Sequence, residues 1–155
     1  MNNVLGKPFY LMLIIACFLV SSVASARTIT ECGEFKGFAA YLKNGVVGQQ
    51  GDFSKDEFSG SKIILEAKQN ASNGKTEVDI VFYNRGTPYR ASKDGPVYLM
   101  NYNPTNNTWM ILAVASTFTD TYLFYLDTKG RGEVVWTNSR SGGAPKAVLM
   151  RAKCG

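Results

Sequence analysis

The chain has 155 residues, 17 basic and 12 acidic side chains, and no histidine. The missing imidazole excludes Ser-His-Asp and Cys-His machinery, histidine proton shuttles and the usual zinc sites. The positive charges are scattered from Lys36 to Arg90 and beyond without forming a run or stripe, so no nucleic-acid partner is expected.

The first element is an export signal. Lys7 precedes an unbroken apolar run, Phe9 to Val20, and then small residues from Ser21 to Ala26. This pattern predicts a signal peptide over 1–26, with Ala24 and Ala26 read at the cleavage site and Arg27 as the new first residue. A membrane anchor is the rival. Twelve apolar residues rise only about 18 Å as a helix, against a bilayer core of roughly 30 Å. Cys17 lies inside the run with Ile14 three residues before it, so lipidation is not expected. A single β domain over 27–155 follows, periplasmic or secreted, with no stable membrane span after cleavage. Two cysteines remain in it, Cys32 and Cys154, near its two ends. In an oxidising compartment such a pair is expected to bridge. The closed loop is about as long as the domain, which corresponds to about 4–5 kcal/mol in the chain-entropy account. The bridge also requires the first and last strands to lie side by side.

Along the domain, short apolar stretches alternate with turn chemistry. Residues 34–43 fit a strand or a short helix; Gly33 and Gly37 weigh against the helix and the bridge favours the strand. Residues 44–60 have no period and read as a long loop of functional interest. Ser61 to Gln69 alternates, with Ile63, Leu65 and Ala67 on one face, and Asn73-Gly74 marks a hairpin into Thr76–Tyr83, where Val78, Ile80 and Phe82 face inward. Residues 87–93 form a short polar strand, and 97–102 another. Thr108 to Ala115 is apolar on both faces, which predicts a central strand covered on both sides. Residues 121–126, 133–138 and 146–154 complete the set, the last with Val148, Met150, Ala152 and Cys154 on one face. The expected fold is all-β, an antiparallel meander of eight or nine strands closed as a small barrel stapled by the disulfide. A two-sheet β-sandwich is the alternative.

Several motifs approach known chemistry without completing it. Ser59-Gly60-Ser61-Lys62 has the Ser-x-x-Lys spacing but straddles a glycine entering a strand. Gly74-Lys75-Thr76 lacks the earlier glycine of a phosphate loop, since position 69 is Gln69. Asp52-x-Ser54-x-Asp56 begins like a calcium loop, but Glu57 replaces the glycine and Ile63 the final acid. Asp52, Asp56, Glu57 and Asp120 offer carboxylate pairs for glycoside chemistry, a pattern any acid-bearing chain provides. Asn70-Ala71-Ser72 and Asn106-Asn107-Thr108 are glycosylation triplets, relevant only in a eukaryotic secretory pathway. No catalytic residue, metal ligand or cofactor is expected.

Binding candidates come from aromatic and cationic residues. In the 121–126 strand Tyr122 and Phe124 share one face and Tyr125 takes the other, so Tyr125 is available to a sugar, peptide or protein. Trp136 and Arg140 lie before and within a small-residue loop, 139–145, where Arg140 suits a carboxylate or phosphate.

Glu31-Cys32-Gly33, Ser59-Gly60-Ser61-Lys62-Ile63, Trp136-Thr137-Asn138-Ser139-Arg140, Pro145-Lys146 and Arg151-Ala152-Lys153-Cys154 resemble segments of a group of small, uncharacterised exported proteins of alphaproteobacteria. The resemblance covers most of the 27–155 region. It implies a bacterial envelope setting and the Cys32–Cys154 bridge, and it carries over no activity and no catalytic residues. The resulting expectation is a non-catalytic module that binds a small ligand in the cell envelope. The alternative is a protein-interaction or inhibitor module that meets an envelope protein through loops 44–60 and 139–145.

Overall fold

A computed structural model describes residues 25–41, 53–84, 86–141 and 145–155. The expected signal segment up to Ala24 lies outside the described residues, as do 42–52 and 142–144. Ala26 and Arg27 are described and exposed, and the first strand begins at Arg27.

Nine strands make up one antiparallel sheet: β1 (Arg27–Tyr41), β2 (Phe53–Gln69), β3 (Thr76–Asn84), β4 (Thr87–Arg90), β5 (Val97–Asn103), β6 (Thr108–Val114), β7 (Phe118–Leu126), β8 (Gly132–Arg140) and β9 (Lys146–Cys154). Their order is β4-β3-β2-β1-β9-β8-β7-β6-β5, and the sheet curls into a half-barrel. The expected all-β antiparallel meander is therefore present, as one continuous sheet. Cys32 and Cys154 are direct cross-strand partners and form the disulfide. The seam between chain start and chain end thus lies in the middle of the sheet, and the two edges are the consecutive strands β4 and β5, joined through a 3-10 turn at Ala91–Lys93.

Period-two alternation decides what the concave face holds. In β9, Val148, Met150, Ala152 and Cys154 are buried and the residues between them exposed. In β7, Asp120, Tyr122, Phe124 and Leu126 are buried. Ile63, Leu65, Ile80, Ile111 and Val134 complete the centre of the core.

One irregularity re-aims the first two strands. Gly33 pairs with Lys62, but the next pair is Phe35 with Phe58. Glu34 on one side, at φ 59°, and Ser59-Gly60-Ser61 on the other, with Gly60 at φ 73°, are left out of the ladder. Such a bulge changes which face the following residues take. Without it, alternation from Cys32 would turn Glu34 and Lys36 into the core. With it, Phe35 and Ala39 are buried and Lys36 is exposed. In β2 the same shift puts Phe58 on the face that Ile63 and Leu65 occupy.

Two expectations are corrected. Residues 53–60, read as loop, are the first half of β2; the bulge breaks their period against 61–69, which hid the strand. The strand at 108–114 was expected to be covered on both sides. Only Trp109, Ile111 and Ala113 are buried, and Met110 is 42% exposed. A single sheet covers one face, and no second layer lies over the other among the described residues.

Candidate functional site

The concave face carries an aromatic cluster centred on Trp136. Its indole ring stacks on Tyr122 (centroids 6.2 Å apart, planes at 4°) and meets Phe35 edge-on at 5.7 Å, Phe58 at 5.8 Å and Phe82 at 6.0 Å. These rings come from β1, β2, β3, β7 and β8. Alternation, and in β1 and β2 the bulge, points all of them inward. They leave a cavity of about 330 Å³ whose walls are Phe35, Phe58, Ile63, Phe82, Tyr89 and Trp136, with Ser61, Lys62 and Tyr83 at its margin. This volume falls at the lower end of small-molecule sites, which are typically concave and largely apolar with a few placed polar groups.

Behind the indole is a buried acid. Asp120 is 3% exposed. Its Oδ1 accepts hydrogen bonds from Trp136 Nε1 at 2.9 Å and Asn138 Nδ2 at 2.6 Å, and its Oδ2 accepts one from the Tyr122 hydroxyl at 3.0 Å. Burial raises the Asp120 pKa above the ordinary 3.8, opposed by those donors and by the Arg140 charge. Burial first, and then the Asp120 carboxylate, push the Tyr122 phenol well above its ordinary 10.0. The network fixes the Trp136 ring from behind, so the face turned to the cavity is held in one orientation.

The candidate residues from the sequence separate. Trp136 is the centre of the cluster. Arg140 ends β8 on the same face, close enough to Asp120 to lower its pKa. Tyr125 does not join them; it is 58% exposed on the convex face, two pairs along the β6–β7 ladder from Met110 and Leu123. The incomplete motifs assemble no chemistry. Lys62 pairs with Glu31 on the outside of the sheet, Gly74 is the positive-φ residue of a hairpin turn, and Asp56 sits 3.9 Å from Lys146. Asp52 lies outside the described residues. Among the described residues no group of three or more His, Cys, Asp or Glu is placed to hold a metal.

A wider hollow of about 590 Å³ lies between β2–β3 and the start of β5. Its charged side chains are already satisfied by one another, Arg90 donating to Glu66 at 2.6 Å and to Asp79 at 3.3 Å. The aromatic cavity is the better candidate because its apolar walls are what remains to be covered.

Phe58, Tyr89 and Asn138 were not read as site residues from the sequence, and Phe82 was read only as inward-facing. Phe58 was hidden with its strand by the bulge. Asp120 was visible only as one of several acids, although its parity with Tyr122 and Phe124 marked it as inward-facing.

Comparison with protein-family models, curated proteins and solved structures returned no match.

Proposed function

We propose that the chain is a non-catalytic binding module of the cell envelope whose concave face takes a small apolar ligand against Trp136. The observation that carries this reading is the preformed aromatic cavity of about 330 Å³, held rigid from behind by the Asp120 network. Rigid aromatic walls supply contact area at low ordering cost. The signal-peptide pattern, the bridging cysteines and the resemblance to alphaproteobacterial exported proteins support the location outside the cytoplasm.

The test is fluorescence titration with N-phenyl-1-naphthylamine, a neutral apolar dye. Saturable one-to-one binding with quenching of Trp136 is expected. Phe58→Ala and Tyr89→Ala each remove one cavity wall and weaken binding about tenfold, the equivalent of about 1.4 kcal/mol. Wild-type protein that does not bind the dye, or variants that bind it unchanged, would remove the reading.

A second reading is a protein-interaction or inhibitor module acting through the segments read as loops, 44–60 and 139–145, of which 53–60 and 139–140 are strand. It is favoured by the sheet register: Tyr41 and Arg140 both pair with Lys146, so the β1–β2 and β8–β9 connections leave from one end of the sheet. It predicts that alanine substitutions at 139–141 abolish an envelope interaction while dye binding survives.

A further inference from the structure

We infer that the apolar ligand carries an oxyanion head group, held by Lys146 and Arg140 at the end of the concave face. This deepens the binding reading above and rests on it.

Lys146 and Arg140 are direct partners across the β8–β9 ladder. Like charges placed opposite one another in an antiparallel pair are unfavourable unless an anion lies between or beside them. The acids nearby answer this only in part. Among the described residues the nearest acid contact of Lys146 is Asp56 Oδ2 at 3.9 Å, beyond hydrogen-bond reach. Its side chain is 16% exposed. Its ammonium lies 5.6 Å from the Tyr41 ring centroid and 5.5 Å from that of Phe58. The Lys146 side chain is thus largely buried, with its ammonium over two rings. Arg140 makes no ion pair among the described residues. Asp120, whose pKa it lowers, already accepts from Tyr122, Trp136 and Asn138. The guanidinium keeps its planar set of donors for an oxyanion.

Phe58 connects the two halves. Its ring is a wall of the aromatic cavity and also lies beneath the Lys146 ammonium. A ligand in the cavity is therefore separated from the Lys146 ammonium by a single ring, and Arg140 is the cross-strand partner of Lys146. The geometry suits a flat apolar body with a carboxylate or similarly sized oxyanion at one end.

The test uses two dyes that differ by one group. 8-Anilinonaphthalene-1-sulfonate is N-phenyl-1-naphthylamine with a sulfonate added. At low salt the sulfonated dye is expected to bind the purified, oxidised protein about tenfold more tightly than the neutral one, and added salt narrows the gap. Arg140→Gln, at an exposed strand end, and Lys146→Gln each remove most of the gap, lowering the sulfonated dye's affinity by a larger factor than the neutral dye's. Near-UV circular dichroism checks that both variants keep the native packing. Equal affinity of the two dyes for wild-type protein overturns the inference while leaving the apolar site intact. So does a gap that persists in the double variant. Failure of the neutral dye to bind removes the apolar site itself, and the inference with it.

Discussion

Asp120 shows how one side chain can organise a site without taking part in chemistry. Three donors converge on its two oxygens, and it lies almost wholly out of water. Asp120→Ala would leave the Tyr122 hydroxyl, the Trp136 indole N–H and the Asn138 amide without their acceptor, costing about 3 kcal/mol or more. Asp120→Asn retains one acceptor oxygen, and the Tyr122 hydroxyl can rotate to accept from the new amide, so it costs about 1 kcal/mol; chemical denaturation measures both. The pH dependence has a definite sign. Burial raises the folded-state pKa above 3.8, so the folded chain binds this proton more tightly than the unfolded chain does. The stability this provides is full below about pH 3.8 and is lost as pH rises through the folded-state value. The stability difference between wild type and Asp120→Asn should therefore fall as pH rises through that window. A rising difference would mean that the three donors outweigh burial. Asp120 was legible as an inward residue from its spacing to Tyr122 and Phe124. Its role was not, because two of its three partners come from β8, and the β7–β8 register exists only in the folded sheet.

At the scale of elements, the strands that follow simple alternation were readable to their ends. The expected 146–154 is β9, with the expected four residues buried. β2 was half read because period-two reasoning assumes an uninterrupted pleat, and the Ser59–Ser61 bulge inserts a change of parity into its middle. β6 was read as central because Met110, Leu112 and Val114 are as apolar as their buried neighbours. Sequence hydrophobicity does not say whether a second layer exists to cover them. The close approach of strands was equally hidden. A Cβ on Gly37 would lie 1.9 Å from the Leu149 carbonyl oxygen, inside the β1–β9 ladder. Gly37→Ala must push those strands apart, a destabilisation of about 3 kcal/mol or more, and amide exchange should rise first in β1 and β9. Protection left unchanged in both strands would show that the backbone absorbs the methyl group.

For the whole molecule, the most consequential contact joins residues near opposite ends of the described chain. Cys32 and Cys154 are separated by 122 residues, and the strands that carry them form the centre of the sheet. Such pairing closes a loop nearly as long as the domain, so it forms late and at high entropic cost unless the bond is in place. Denaturation with and without reductant should differ by about 2–5 kcal/mol; an equal midpoint in both conditions would assign the pairing to packing alone. The same bond has a mechanical consequence. Tension applied between Arg27 and Gly155 passes from Cys32 straight to Cys154 across one covalent link, and everything from Gly33 to Lys153 hangs from that link as an unloaded loop. Oxidised, the protein should extend under a stretching force by little more than the few residues outside the bridge, with the aromatic cavity undisturbed. Reduced, the same pull would reach the β1–β9 ladder directly and open the sheet from its middle.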